Sequence, residues 1–185
     1  MTLWQINHAV RVIRQGGVIA YPTEAVYGLG CSPYYFPAVA RILKLKRRNI
    51  SKGLILVGSD ISQFDRLADF SKVVDMSPIL DSWPGPVTWI IPARRGVPRW
   101  LTGDKAGIAI RVSAHPVVGR LCDRAGALVS TSANPARLPP ARTAQRVRSY
   151  FKNELDFILH APVGLAREPS QIRDALTGKV LRGAG

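Results

Sequence analysis

Cysteine and histidine are scarce in this sequence. Its 185 residues include two cysteines, Cys31 and Cys122, and three histidines that stand apart from one another. Cysteines this far apart, without neighbouring histidines, are not typical of a disulfide-rich domain or of a structural zinc site. None of the histidines lies beside a serine or cysteine in a recognisable nucleophile motif. The scarcity therefore argues against a disulfide framework and against a structural zinc site, and it favours a reducing, cytoplasmic location.

Long apolar runs are also absent. No run approaches the roughly 20 residues that a membrane-spanning helix needs, and the first residues show no basic leader ahead of an apolar stretch. We therefore expect neither a membrane segment nor a secretory signal. No repeat, low-complexity tract or linker divides the chain, and its length is typical of one domain. The sequence thus predicts a single domain over residues 1–185.

Acidic residues are few, and this shortage is the most informative feature of the composition. Twelve Asp and Glu stand against 26 Lys and Arg, which gives a formal net charge of +14. Nineteen of the 26 are Arg, whose planar guanidinium can bind two phosphate oxygens at once. Counterion release favours the binding of such a basic surface to a polyanion. The charge balance therefore predicts a nucleotide or nucleic-acid partner, although a basic surface can also serve solubility alone.

Short apolar runs alternate with helical patterns along most of the chain. The runs predict strands at 18–21, 54–57, 87–91, 108–112, 128–131 and 157–159. Apolar residues at helical spacing predict helices at 3–15, 36–48, 60–69, 71–82, 116–125 and 143–152. This alternation is typical of an α/β sheet with parallel pairs, but no obvious helix separates the two strands within 84–112. We therefore expect one α/β domain with a mixed parallel and antiparallel sheet.

The segment 21–30 (YPTEAVYGLG) follows the first predicted strand. Ligands of open α/β sheets bind beyond the carboxyl ends of strands, so Thr23 and its neighbours are well placed to contact a ligand. Two glycines permit a tight turn or a close approach of backbone to ligand. They are not a dinucleotide-binding fingerprint, because no third glycine follows at the required spacing, and the chain has no Walker A pattern. The residues alone leave a structural turn and a binding loop equally open.

A basic run follows between residues 41 and 52, with no acid within it. Its six cations are Arg41, Lys44, Lys46, Arg47, Arg48 and Lys52. On a helix, Arg41, Lys44 and Arg48 share one face, and the end of a helix suits cations. The run fits either a solvated helical face or a phosphate site, and the lack of compensating acids favours phosphate.

Two later strands end in polar side chains. Arg111 follows the apolar run 108–110, and the period of two along a strand points it to the face opposite Ile110. Burial of its charge requires a partner, which is either a structural carboxylate such as Asp174 or the carboxylate of a substrate. The segment 130–134 (STSAN) supplies three hydroxyls and an amide, which suit phosphate and ribose or an ordinary turn.

Together these segments resemble the YrdC-like threonylcarbamoyl-AMP synthases, in the short bacterial (TsaC-type) form once described as a ribosome maturation factor. The resemblance covers essentially the whole chain. Its motifs are YPTEAVYGLG at 21–30, KRR at 46–48 with GLIL at 53–56, WPGPVT at 83–88, IRV at 110–112 with HP at 115–116, SAN at 132–134, PSQIRD at 169–174, TG at 177–178 and LR at 181–182. A series of motifs in the family's order is far more specific than any one of them.

The resemblance implies a twisted open sheet with a basic concave face. It implies ATP contacts by Lys46, Arg48, Ser132, Asn134 and Arg182. The residues around threonine or its carbamate would be Thr23, Arg111, Ser130, Thr143 and Ser170. Mg²⁺ would bridge the phosphates, with Glu24 as the one candidate among protein ligands.

The implied reaction joins L-threonine, bicarbonate and ATP. Bicarbonate carboxylates the threonine amine, and the carbamate attacks the α-phosphorus to give threonylcarbamoyl-AMP and pyrophosphate. Such an attack needs positioning and charge neutralisation rather than a covalent nucleophile, so we expect no covalent catalytic residue. Partner proteins would pass the threonylcarbamoyl group to a tRNA adenosine next to the anticodon.

Two departures from the family pattern and two alternatives accompany this interpretation. Asn49 stands where the family usually has Pro, and PAR at 135–137 replaces the family's Ser-Gly. We expect no second domain of the kind that longer members carry. One alternative is a non-catalytic protein that binds double-stranded RNA or tRNA through the same basic face; the other is a different small phosphometabolite enzyme. The hydroxyls at 130–134 and a buried Arg111 favour the synthase, because shape-based RNA binding needs neither.

Overall fold

The computed structural model describes residues 2–166, 168 and 170–183. The first residue of the predicted 169–174 motif and both ends of the predicted domain lie outside the described residues, which leave out Met1, Arg167, Pro169, Ala184 and Gly185. The helices are α1 (Leu3–Arg14), α2 (Phe36–Leu45), α3 (Ser77–Ser82), α4 (Arg99–Thr102), α5 (Pro116–Ala125) and α6 (Ala144–Phe151). The strands are β1 (Ile19–Pro22), β2 (Tyr27–Gly30), β3 (Ile55–Gly58), β4 (Val87–Pro92), β5 (Gly107–Val112), β6 (Leu128–Ser132), β7 (Phe157–Ile158), β8 (Gln171–Asp174) and β9 (Val180–Arg182). Short 3₁₀ helices lie at Ile50–Lys52, Ile61–Phe64 and Phe70–Lys72.

The strands of the described part form one open sheet in the order β7-β1-β2-β6-β3-β5-β4-β8-β9. The neighbours β1/β7, β3/β5 and β4/β8 are parallel. The other neighbours are antiparallel. The prediction of a single α/β domain with a mixed sheet and flanking helices is therefore confirmed.

Different helices pack against the two faces of the sheet. On β5, Ile108, Ile110 and Val112 point into the larger apolar core, to which α2 and α6 contribute. On the opposite face, α1 and α5 pack over residues such as Val57 and Leu128 and form a second apolar core. The rest of that face is open and carries a cavity. Strand alternation thus divides each central strand between a core side and a cavity side.

Local sequence signals fix the ends of the two helices on the cavity side of the sheet. Thr2 and Gln5 form a capping box at the start of α1. Helix α5 begins with Pro116 directly after His115, whose Nδ1 accepts a hydrogen bond from the backbone N–H of Val117. It ends at Gly126, whose φ of 78° lies in the left-handed region. Only three residues separate the end of β5 from the start of α5, so the cap of α5 lies close to the cavity residue Glu24, to which Ser113 connects it.

Local structure differs from the sequence prediction in several places. Tyr27–Gly30 is a strand rather than a turn, and α2 ends at Leu45, before Arg48. The stretch 60–82 forms two 3₁₀ helices and the short α3 rather than two full helices, because carboxylates such as Asp60 bond to backbone amides two residues on. The sequence also gave no sign of α4, β8 or β9.

Two expectations drawn from scarce residue types can be compared with the structure. Both cysteines are free and buried, Cys31 in the larger core and Cys122 in the second, so no disulfide links them. Burial raises the pKa of each thiol to about 12. Among the described residues, no helix combines the length and the apolar character needed to cross a membrane.

Candidate active site

The open face of the sheet carries a cavity of about 370 Å³. Its floor comes from β2, β3, β5 and β6, and residues near β8 and β9 border it. Seven of the ten residues predicted to contact ATP or threonine line it, namely Thr23, Arg48, Arg111, Ser130, Ser132, Ser170 and Arg182. The fold thus brings most of the predicted site into one place, while each residue's contact with a substrate stays a prediction.

Arg111 lies at one side of the cavity and is paired with Glu24. Its Nη2 lies 2.9 Å from Glu24 Oε2, and the two side chains are 9% and 16% exposed. The other carboxylate oxygen, Oε1, accepts a hydrogen bond of 2.6 Å from the hydroxyl of Ser113. Burial favours the neutral acid, but Arg111 and Ser113 outweigh it, so the pKa of Glu24 is lowered and the carboxylate is ionised.

The sequence left open whether Asp174 or a substrate pairs with Arg111, and the structure gives the partner as Glu24. Asp174 ends β8, where its carboxylate accepts hydrogen bonds from the backbone N–H groups of Leu176 and Thr177. Its side chain is thus used in the turn between β8 and β9. The Asp174 pairing was wrong because sequence position says nothing about which distant loop reaches the end of β5.

Small side chains form the floor beside Arg111. The hydroxyl of Thr23 donates a hydrogen bond of 2.7 Å to the backbone oxygen of Val26. A side-chain carbon built on Gly28 would lie 3.4 Å from both Ser130 Oγ and Thr23 Cγ2. Gly28 therefore keeps the space between these two hydroxyl-bearing residues clear.

Lys46 lies behind the cavity wall rather than on it. Its ammonium is surrounded by four oxygens, the backbone oxygens of Ser132 and Asn134 and their side-chain Oγ and Oδ1. Burial, with a smaller contribution from Arg48, lowers the pKa of Lys46 to about 8. In this arrangement Lys46 holds the loop after β6, and Ser132 presents that loop to the cavity.

Two further arginines, Arg48 and Arg182, line the cavity. Arg48 donates from Nε and Nη2 to the backbone oxygen of Gly53. Arg182 donates to the backbone oxygen of Ser170 at 2.7 Å, and Ser170 shares a 2.9 Å hydroxyl contact with Thr88. Burial is the main cause that lowers the pKa of Arg48, and the charge of Arg182 lowers it further. Burial is also the main cause that lowers the pKa of Arg182, and the charge of Arg111 lowers it further. Cations that disfavour one another's charge in this way would gain from an anion bound among them.

Comparison with known proteins gives the family. The family model for Sua5, YciO and YrdC proteins, described as "Telomere recombination", matches residues 11–184. The chain belongs to this family. Its relatives include proteins named threonylcarbamoyl-AMP synthase: that of Stutzerimonas stutzeri is 48% identical over 98% of each chain, and that of Pseudomonas aeruginosa is 51% identical over 95% of each chain. The relative from Coxiella burnetii, of the same name, is 49% identical over 96% of each chain. The resemblance inferred from the motifs is confirmed.

Solved structures of the same family agree with the fold. The structure of P. abyssi Sua5 in complex with L-threonine superposes with a TM-score of 0.86 at 29% identity, over 94% of this chain and 52% of that one. The chain therefore spans about half the length of that family member. E. coli YciO, at 24% identity and a TM-score of 0.81 over 98% of this chain and 92% of that one, shares the fold.

Several residues that the family resemblance or the basic run suggested for the site do not line the cavity, among them Asn134, Thr143 and Arg41. Thr143 is the N-terminal cap of α6, where its hydroxyl accepts a hydrogen bond from the backbone N–H of Arg146. Arg41 is paired with Asp156 at 2.6 Å. The basic run is thus divided among separate tasks, and only Arg48 and Lys52 from it line the cavity.

Some functional candidates were missed by sequence reasoning. Ser113 had no signal of its own, because a serine after a strand is commonplace. Lys105 lines the cavity, and the signal was present, since it precedes a strand whose alternate residues face the site. Gly28 was recognised as a flexible position, but its place on the cavity floor depends on the pairing of β2 with β6.

Two carboxylate residues, Glu24 and Glu168, line the cavity. Both oxygens of Glu24, the predicted candidate, already face Ser113 and Arg111. Within the described part of the chain, no three His, Cys, Asp or Glu side chains cluster as metal ligands would.

Proposed function

We propose that this family member is a threonylcarbamoyl-AMP synthase, which converts L-threonine, bicarbonate and ATP to threonylcarbamoyl-AMP and pyrophosphate. One observation carries the proposal. A single cavity is lined by a buried arginine–glutamate pair and by two further arginines, Arg48 and Arg182, whose pKa values are lowered by burial and by a neighbouring arginine. The first arrangement suits an amino acid, and the second suits a polyphosphate.

The amino-acid end would be formed by Arg111 with Thr23 and Ser130. Arg111 Nε is buried and has no hydrogen-bond partner. Arg111 nevertheless lines the cavity together with Thr23 and Ser130, and a guanidinium binds a carboxylate through its paired donors. This supports the assignment of threonine's carboxylate to Arg111, and the complex of the Sua5 relative with L-threonine supports threonine as the amino acid.

The nucleotide end would be formed by Arg48 and Arg182 with the Ser132–Asn134 loop that Lys46 holds. The amine nitrogen of threonine forms a bond to the carbon of bicarbonate with loss of water, and a carbamate oxygen then attacks the α-phosphorus. The bond from that phosphorus to the bridging oxygen breaks, and pyrophosphate leaves with the electron pair. Cations and amides fixed around the phosphates stabilise the charge on the leaving group, and no covalent nucleophile is needed.

Mg²⁺ would enter as the counterion of ATP, that is, with the substrate. The site offers it no protein ligand set, so the nucleotide oxygens would hold it. The product would be consumed by proteins that transfer the threonylcarbamoyl group to tRNA in the cytoplasm. The formal charge of +14 supports contact with tRNA.

The test is pyrophosphate release by the purified protein with ATP, Mg²⁺ and bicarbonate, with and without L-threonine. We expect release that requires threonine, together with a product of the mass of threonylcarbamoyl-AMP. Arg48→Ala should abolish release, and Lys72→Ala, which changes an exposed cation outside the cavity, should not. No release by folded protein under any condition, combined with tight RNA binding, would replace the synthase by the RNA-binding alternative.

A further inference from the structure

Three side chains form a continuous chain of contacts from the cap of α5 to the amino-acid end of the cavity. The backbone N–H of His115 donates to Ser113 Oγ at 3.2 Å, and this hydroxyl donates to Glu24 Oε1 at 2.6 Å. Glu24 Oε2 then lies 2.9 Å from Arg111 Nη2. The contacts join the loop after β1, the end of β5 and the start of α5. The hydrogen bond from Ser113 thus holds the carboxylate of Glu24 in place beside the guanidinium of Arg111.

Glu24 lines the cavity, but the burial of its Oε2 directs that oxygen to Arg111 rather than to a ligand. Glu24 Oε2 is inaccessible to solvent and, apart from the ion contact, has no hydrogen-bond partner. A ligand would have to displace Arg111 to reach it. Nor does Glu24 suit the role of a base, because an ionised carboxylate of lowered pKa takes up a proton weakly. Holding Arg111 is the task that remains.

The charge of Glu24 has a second effect at this end of the cavity. It offsets the charge of Arg111, so the pair is close to neutral. ATP and pyrophosphate are strongly anionic, whereas threonine is a zwitterion with a carboxylate and an ammonium. The neutral pair therefore attracts phosphate only weakly at long range. The N–H groups of Arg111 can still donate hydrogen bonds to a carboxylate.

We propose that Glu24 is a positioning residue that fixes the guanidinium of Arg111 for the carboxylate of the amino acid and reserves it against phosphate, with Ser113 holding Glu24 in turn. The inference rests on the proposed function, because it takes the amino acid to be threonine. It gives Glu24 a role in substrate sorting in place of the metal ligation suggested by the sequence.

The variant Glu24→Gln separates positioning from general damage, because it should change two affinities in opposite directions. The amide keeps the size of the side chain but turns an N–H₂ or a weaker acceptor toward Arg111, which then gains rotational freedom. We expect the Kd for L-threonine, measured by titration calorimetry, to rise roughly tenfold, which is the change expected from the loss of about one well-placed hydrogen bond. Pyrophosphate should compete with threonine more strongly in the variant than in the unchanged protein, since the charge of Arg111 is no longer offset.

A double-mutant cycle tests whether Glu24 acts through Arg111. In an Arg111→Ala background, adding Glu24→Gln should change the threonine Kd by less than about twofold. Glu154→Gln is the matched control: it makes the same change in net charge at an exposed position outside the cavity, and it should leave both affinities unchanged. Ser113→Ala removes a single hydroxyl and should raise the Kd for L-threonine by a smaller factor than Glu24→Gln does. It replaces Glu24→Gln in the test if that variant does not fold.

The outcomes distinguish the two proposals. Unchanged threonine affinity in folded Glu24→Gln, or an effect that persists in full without Arg111, would overturn the positioning role and leave the synthase proposal intact. Absence of threonine binding by the unchanged protein would overturn the proposed function and this inference with it. The role would be established by three results together: a higher Kd for L-threonine in Glu24→Gln, stronger competition by pyrophosphate, and loss of both effects in the Arg111→Ala background.

Discussion

At the scale of single residues, Lys46 connects the fold to the site. Its buried ammonium is surrounded by oxygens of Ser132 and Asn134. Lys46→Ala would leave those carbonyl groups without their donor. Since hydrogen bonds to charged groups contribute roughly 1.5–3 kcal/mol, we expect both a loss of turnover and a fall of about 2 kcal/mol in the free energy of unfolding. Urea denaturation measures the second effect, and Lys44→Ala, an exposed cation two residues earlier, is the control.

A result in which Lys46→Ala lost turnover at full stability would contradict this account. It would mean that the ammonium leaves the loop and serves the phosphates alone. A loss of stability in Lys44→Ala as large as that in Lys46→Ala would also count against it, because the effect would then belong to the basic run rather than to the four-oxygen site.

The pKa of Lys46 makes a separate prediction about pH. Because burial lowers the pKa to about 8, the ammonium of the free protein is lost as pH rises through 8, whereas an ordinary lysine keeps its proton to about 10.4. We expect kcat/KM for ATP to fall above pH 8, since this ratio reports groups of the free protein. A profile that stays level to pH 9.5 would show that the charge of Lys46 is not used in ATP capture.

At the scale of elements, the glycines of β2 have opposite uses. A side-chain carbon at Gly28 would sit in the cavity at ordinary contact distance from its neighbours, but one at Gly30 would lie 2.6 Å from the Tyr21 ring and 2.7 Å from a backbone oxygen of β6. Gly28→Ala should therefore raise the KM for threonine and leave thermal stability nearly unchanged. Gly30→Ala should lower the free energy of unfolding by roughly 1–3 kcal/mol through overpacking.

The two variants control for each other, because the same methyl group is added two residues apart on one strand. Thermal unfolding and threonine KM should be measured on both. If Gly28→Ala bound threonine as well as the unchanged protein does, the space between Thr23 and Ser130 would not be part of the amino-acid site.

The same strand marks the limit of what the sequence predicts. Apolar runs identified β1, β3, β4, β5 and β6 to within a residue or two, because burial on both faces leaves a clear run of large aliphatic side chains. Strand β2 escaped because glycine is uncommon in strands, and its two glycines are required by Tyr21 and by the cavity, which are tertiary features. Strands β8 and β9 are only partly buried and have no such run.

For the site, the motifs located the residues but not their partners. Glu24 and Arg111 stand 87 positions apart, and their pairing follows from the order of strands in the sheet. Lys46 was expected at the phosphates, and its contacts with Ser132 and Asn134 depend on where α2 ends. Residue chemistry was therefore predictable, whereas the choice of partner had to come from the fold.

At the scale of the whole molecule, charge governs the encounter with partners. The formal net charge of +14 predicts that affinity for tRNA falls steeply between 50 and 200 mM salt, by roughly 10³–10⁵-fold if six to ten phosphates are contacted. Titrations at several salt concentrations give the slope. A flat response would mean that tRNA contact, if any, does not use phosphate.

The two apolar cores contain one thiol each, Cys31 on one side of the sheet and Cys122 on the other. Because so little of either thiol is ionised in the native state, alkylation must wait for the surrounding layer to open. The ratio of the two labelling rates therefore reports which layer of helices separates from the sheet first. We expect Cys122 to react sooner, since the core beneath α1 and α5 is the smaller one. Mass spectrometry of peptides after timed alkylation would read both rates from a protein without a single substitution.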